Sequence, residues 1–377
     1  MDYTEKYAEL EKIFNANQGD FNIPGSGIRV EFSRFLSEGI SKDLFSGNDF
    51  EIMENQSFSY PVFVPAETGS RKVILLLHGL NERSWNKYLS WAYYLCSETN
   101  SYIILFPISF HINRSPLSWR DPRSMMRLLH EKAAEWGEVR NSCFANIALS
   151  NRLSDDPRRF VKSGYQTVCD LTVLMNQIRS GKHAFIPGNS QVNIFAYSIG
   201  AFLAEIIMMS NPDDLYSGSK LFMFCGGSVF SNMRGESKLI MDKLAYERVY
   251  NYYMEGFENE ISKKGGPLGA LVSGKVGLAF RAMIDFGRLR DFREKAMGLL
   301  RDQIYSIGLL KDRVIPAQGI IRTLNPETGH RRARAEIQDF NYEYSHENPF
   351  PLLKNGGSSE VDRCFERIMI PACRFLA

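Results

Sequence analysis

Five short apolar runs constrain this chain more than any other feature: Val73-Ile74-Leu75-Leu76-Leu77, Tyr102-Ile103-Ile104-Leu105-Phe106, Val192-Asn193-Ile194-Phe195, Leu221-Phe222-Met223-Phe224-Cys225 and Ile304-Tyr305-Ser306-Ile307-Gly308-Leu309. They are continuous or nearly so, which is the pattern of strands covered on both faces. The first stops at His78-Gly79, the fourth at Gly226-Gly227, and the fifth just before Lys311-Asp312. Helical stretches lie between them. One covers residues 88–98, and another follows the third run with apolar positions at Phe202, Ile206 and Met209 until Asn211-Pro212. Strands alternating with helices predict an α/β fold with a mostly parallel central sheet flanked by helices. A short amphipathic helix over residues 3–15 and leading strands over 28–32 and 59–64 are expected ahead of it.

Domains run to about 100–200 residues, and α/β folds often run longer as one. The pattern is read as one domain over residues 1–377, because the runs flanking each long interval still look like members of one sheet. Two intervals, 109–163 and 231–301, are too long for simple crossovers and are expected to be insertions, the second a helical lid. In the second, Leu239, Leu244, Val249 and Tyr253 recur at helical spacing. Both leave from the carboxyl ends of strands, where open α/β sheets bind ligands.

Hydrophobic residues make up 44% of the chain and charged residues 23%, enough for a sizeable core. The formal charge of +2 provides no global field to recruit nucleic acid or an anionic membrane. The basic run Arg331-Arg332-Ala333-Arg334 reads as a solvated loop. Cys96, Cys143, Cys169, Cys225, Cys364 and Cys373 form no C-x-x-C pair and read as reduced core residues. No leader-like apolar segment follows the polar start, and no apolar stretch reaches the roughly 20 residues that span a bilayer, so a cytoplasmic location is expected. The oligomeric state is not legible.

The third run feeds Ala196-Tyr197-Ser198-Ile199-Gly200 and then a helix. Small residues two before and two after a serine permit a turn so sharp that the hydroxyl projects clear of strand and helix. At this point the sequence resembles the α/β-hydrolase superfamily, whose G-x-S-x-G pattern is met with Ala196 in place of the first glycine. The resemblance extends over residues 73–349 and implies the order serine, acid, histidine along the chain. Asp312, after the fifth run, looks like the acid, and His346, in Ser345-His346-Glu347-Asn348-Pro349, looks like the base. The bland alternatives are a helix cap for Asp312 and a surface-loop histidine for His346. His330 is the real competitor for the base. By the same resemblance the backbone N–H groups of Leu80 and Ile199 form the oxyanion hole.

The implied chemistry is serine-hydrolase cleavage of a carboxylic ester or related acyl bond, with a small-molecule acyl substrate and no cofactor or metal. Acyl transfer with the same triad, and a non-catalytic binding protein on the same fold, are the alternatives. Gly269-Ala270-Leu271-Val272-Ser273-Gly274-Lys275-Val276 nearly spells a phosphate-binding loop, but Val276 replaces the required hydroxyl and no strand precedes it. No zinc spacing or G-x-G-x-x-G loop is present. Trp119, Arg120, Arg123, Arg127 and Trp136 suggest either contacts to an anionic substrate or a structural arginine network.

Overall fold

The computed structural model describes residues 2–16, 19–38, 40–44, 47–67, 69–263, 266–325, 333–352 and 358–377. Among them, nine strands form one sheet: β1 (Phe21–Asn22), β2 (Arg29–Leu36), β3 (Ser57–Val64), β4 (Lys72–Leu77), β5 (Tyr102–Leu105), β6 (Gln191–Tyr197), β7 (Leu221–Phe224), β8 (Ile304–Leu309) and β9 (Arg334–Gln338). Their order is β1-β2-β3-β5-β4-β6-β7-β8-β9. Pairing is antiparallel from β1 to the β3–β5 junction and parallel from β5 onward.

The apolar runs are continuous because both faces are covered. Along β4, Val73, Leu75 and Leu77 join one core cluster, while Ile74 and Leu76 join the other. The first cluster packs under the helices Arg159–Arg179 and Ile199–Ser210; the second packs under Tyr3–Ala16, Asn86–Thr99 and Ser358–Leu376. The register pairs Leu77 with Ala196, Tyr197 with Phe224, and Phe224 with Ile307. The carboxyl ends of β4, β6 and β7 therefore finish within one residue of each other, β8 runs two residues further to Leu309, and the loops after them leave from the same edge of the sheet.

Between β5 and β6 lie the helices Pro122–Trp136 and Ile147–Asp155. The helix Arg159–Arg179 begins before residue 163 and leads back to β6, so the interval 109–163 ends inside a helix. The 231–301 segment carries Lys243–Asn251, a π turn at Tyr252–Gly256, and the helices Pro267–Ser273, Lys275–Ala282 and Arg290–Leu300. The two segments grip one another. Lys132 and Asp242 form a buried ion pair at 2.6 Å, and the Tyr253 hydroxyl accepts from Val161 N–H at 3.1 Å and donates to the Pro157 carbonyl at 3.0 Å. The Lys275–Ala282 helix packs along Ile199–Ser210.

β9 stops at Gln338, where the Asp339 carboxylate accepts from Phe340 N–H and the chain turns into a packed group of Phe340, Tyr342 and Tyr344. Several expectations are adjusted. Leu239 is exposed and precedes its helix, so only Val249 and Tyr253 of the expected stripe are buried. All six cysteines are free, with Cys143 and Cys169 only half-buried. Arg331, Arg332 and His330 lie outside the described residues. Arg334 stacks on the Tyr305 ring at 4.0 Å. The near-phosphate loop folds as two short helices meeting at Gly274. Among the described residues no helix is long and apolar enough to cross a membrane.

Candidate active site

Ser198 sits between β6 and the helix Ile199–Ser210 with φ 58° and ψ −124°, a backbone region that costs a non-glycine residue roughly 1–3 kcal/mol. Its neighbours make the turn possible. A Cβ on Gly200 would lie 2.6 Å from the Leu77 carbonyl oxygen and 2.7 Å from that of His78, so the helix approaches the end of β4 only if residue 200 has no side chain. Two bonds fix the turn: Ser198 N–H to the Phe224 carbonyl at 3.3 Å and Ala201 N–H to the Ser198 carbonyl at 3.0 Å.

The structure brings Ser198, His346 and Asp312 together. Ser198 Oγ lies 2.6 Å from His346 Nε2, and His346 Nδ1 lies 2.7 Å from Asp312 Oδ2. All three residues are at most 5% exposed. A carboxylate only accepts, so Nδ1 carries the imidazole proton and Nε2 offers a lone pair to the serine hydroxyl. The other carboxylate oxygen, Asp312 Oδ1, accepts from Val314 N–H at 2.8 Å and Ile315 N–H at 2.9 Å. Asp312 caps no helix, since the next one begins at Ala317 behind Pro316; one of its oxygens holds its own turn and the other the histidine.

His346 is held from behind. The Tyr197 hydroxyl donates to the His346 carbonyl, and the two rings stack at 5.5 Å with 18° between planes. Lys311 N–H donates to the Tyr344 hydroxyl at 3.0 Å, tying the acid-bearing loop to the histidine-bearing one. Cys225, at the end of β7 with φ 50°, completes the group, and burial together with a hydrogen bond to Asp312 holds its thiol protonated, well above the usual range. Cys225, Asp312 and His346 each place one potential metal-ligand atom within 4.8 Å of the others, the one such grouping among the described residues. Asp312 and His346 already spend those groups on their bond to each other.

Leu80 and Ile199 line the same small pocket as Ser198. The loop carrying Leu80 is tied down on every side. His78 Nδ1 donates to the Gly79 carbonyl at 2.7 Å and Nε2 accepts from Ile108 N–H at 2.9 Å. Gly79 N–H donates to the Tyr88 hydroxyl at 2.9 Å, which donates to Glu82 at 2.7 Å. Asn81, at φ 61°, donates to the carbonyls of Ala145 and Leu239, both at 2.8 Å. Burial pushes His78 down to about 4, so it stays neutral and keeps both bonds at neutral pH.

Tyr197, Tyr88, Glu82 and Cys225 are site residues that the sequence reading missed. Tyr197 stood inside the five-residue pattern, and Cys225 stood where a parallel strand ends; neither position announces its partner. Of the arginine and tryptophan group, Trp119 packs on Arg152 and Trp136 on Arg248, with ring-to-guanidinium distances of 4.5 and 4.6 Å, while Arg120 donates to the Ile112 carbonyl.

The strand order, the parallel core and the helices on both faces define the α/β-hydrolase fold. Within it, the chain belongs to the family described as "Family of unknown function (DUF6051)", whose model matches residues 40–377. No curated protein matches the sequence. Among solved structures the chain is similar to a hyperthermophilic esterase from the archaeon Pyrobaculum calidifontis, at 12% identity and a TM-score of 0.44, covering 98% of this chain and 90% of that one. It is similar to a cold-adapted esterase from an Arctic intertidal metagenomic library at 10% identity and 0.43, covering 93% and 98%. It is also similar to the acylaminoacyl peptidase of Pyrococcus horikoshii at 10% identity and 0.43, covering 96% of this chain and 42% of that one.

Proposed function

We propose that the chain is a serine hydrolase that cleaves a carboxylic ester through an acyl-enzyme on Ser198. The observation that carries this reading is the unbroken buried relay from Ser198 Oγ through His346 to Asp312, with contacts of 2.6 and 2.7 Å. A serine hydroxyl is a poor nucleophile near neutral pH and needs a base within hydrogen-bond reach. His346 Nε2 takes the Oγ proton as Oγ bonds to the ester carbonyl carbon, and Asp312 stabilises the imidazolium that forms. The oxyanion is received by the N–H groups of Leu80 and Ile199. The imidazolium then gives its proton to the departing alcohol as the carbon–oxygen bond breaks. Water, activated by the same base, hydrolyses the acyl-enzyme and returns Ser198.

The experiment is hydrolysis of p-nitrophenyl acetate by the native protein and by Ser198→Ala. Native protein is expected to turn the ester over, and the variant to lose at least about 10³-fold in kcat/KM, in line with removal of a triad member. Equal rates for the two proteins contradict the proposal.

A further inference from the structure

We infer that the acyl half of the substrate is long or bulky and apolar, and that Gly164 sets the depth of the chamber that receives it. The inference rests on Ser198 being the nucleophile and deepens that reading.

Leu80, Phe160 and Ile199, which line the small pocket at Ser198, also line a neighbouring chamber that is partly open to solvent. Phe160, Phe202, Leu203 and Phe280 form much of its wall, and Leu271 and Val276 of the 231–301 segment close it. The near-phosphate sequence thus serves as the chamber's cover. Arg152 and Arg159 also touch the chamber but are committed to one carboxylate: Asp49 accepts from Arg152 at 2.6 and 3.2 Å and from Arg159 Nε at 2.9 Å. Ser163 Oγ donates to the Ser109 carbonyl at 3.0 Å, and His111 Nδ1 to the same oxygen at 2.9 Å. A ligand therefore meets mostly hydrocarbon, the lining that rewards burial of an apolar group.

Gly164 lies on this wall, in the second turn of the helix Arg159–Arg179. Glycine is the poorest helix former apart from proline, so its presence inside a helix calls for a reason. Backbone shape is not the reason, because its φ lies outside the left-handed region. Close packing is not the reason either: a Cβ there would meet no atom within 4 Å, whereas one on Gly277 would lie 2.2 Å from the Val272 backbone. What the missing side chain leaves is space in the chamber. A large residue at position 164 would project into that space and shorten it.

The test is the chain-length profile of p-nitrophenyl esters from acetate to octanoate, compared between native protein and Gly164→Phe. In native protein kcat/KM is expected to rise by about fourfold per added methylene, the burial gain of one CH₂, until the chamber is filled. In Gly164→Phe the octanoate-to-acetate ratio is expected to fall by at least about tenfold, a ratio read within one preparation so that misfolded protein cancels. A native profile that falls from acetate to octanoate, or the same ratio in both proteins, overturns the inference. Binding of the free acid gives a readout independent of turnover. Octanoate, and not acetate, is expected to raise the Tm of Ser198→Ala, and the shift is expected to vanish in Ser198→Ala/Gly164→Phe. No octanoate shift in Ser198→Ala overturns the chamber; a shift without any ester turnover by native protein overturns the hydrolase reading instead.

Discussion

Beyond Leu80 and Ile199, which line both the Ser198 pocket and the chamber next to it, the wall is Phe160, Phe202, Leu203 and Phe280; on the other side, at Ser198 itself, it is Asn81, Glu82, Arg83 and Lys87, with Glu347 beyond His346. The apolar side is shaped by packing. Phe280 meets the rings of Phe202, Tyr253 and Phe257 at 5.6 to 6.1 Å, and these residues come from the helix Ile199–Ser210 and the 231–301 segment. The polar side is shaped by individual bonds. Lys87 pairs with Glu82 at 2.5 Å, Arg83 donates to the Phe144 carbonyl at 3.0 Å, and Glu347 accepts from the Ser237 hydroxyl. The two halves constrain a ligand by different means. A packed apolar wall selects by volume and tolerates many chains, whereas a bonded polar loop holds backbone donors at fixed positions. An ester with an apolar acid and a polar alcohol would lie across the two.

Asp312→Asn acts on the relay that both halves share and has the largest expected effect. It keeps the shape but loses the carboxylate that selects the imidazole tautomer, and kcat for p-nitrophenyl acetate is expected to drop by about 10⁴-fold. A loss under tenfold would mean that the relay does not govern turnover. Next comes Phe280→Ala on the apolar side, expected to cost about 3–5 kcal/mol in urea unfolding, the usual range for truncating a buried phenylalanine. A cost below 1 kcal/mol would show that the chamber wall is not held by packing.

The seam between the halves carries a pH dependence. His78 and His111 are both held neutral by burial, at about 4 and about 3, and each would titrate near 6.5 in the unfolded chain. Between those values the unfolded chain binds protons that the folded chain does not, so stability falls as pH falls. Stability is expected to be full above about pH 6.5 and to decline toward pH 4 by roughly 1.4 kcal/mol per pH unit for each ring, read as urea midpoints at pH 7, 6 and 5. A midpoint that does not move over that window contradicts the assignment. On the polar side, Tyr88→Phe leaves the Gly79 N–H without its acceptor and is expected to cost about 1–3 kcal/mol of stability, with kcat/KM lowered by about tenfold as the loop loosens. Unchanged kinetics and stability would break the claim that single bonds set this half.

Much of this arrangement was legible in the sequence because it depends on local pattern. Continuous apolar runs mark the buried strands, and the small residues around Ser198 mark the turn. Asp312 and His346 could be picked out only through the order that the resemblance to the α/β-hydrolase superfamily implies. What stayed hidden depends on which distant residues meet. Nothing near Cys225 in the sequence indicates that β7 pairs with β8 in a register that puts its thiol beside Asp312. Tyr197 reaches the His346 carbonyl across 149 residues, and Asn81 clasps Leu239 across 158. The helix Ser358–Leu376 lies beyond the stretch that carries the resemblance, although Val361, Phe365, Ile368 and Ala372 follow a helical stripe and are fully buried. Gly164 could not be interpreted before the empty space beside it was known.

Whether Ser198 is the one hydroxyl activated for attack on an acyl carbon is tested most directly by labelling with a fluorophosphonate probe at neutral pH, followed by intact-mass measurement and peptide mapping. A single adduct is expected on the peptide carrying Ser198, and none on Ser198→Ala. Equal labelling of the two proteins, or an adduct mapped to another residue, would contradict this role for Ser198.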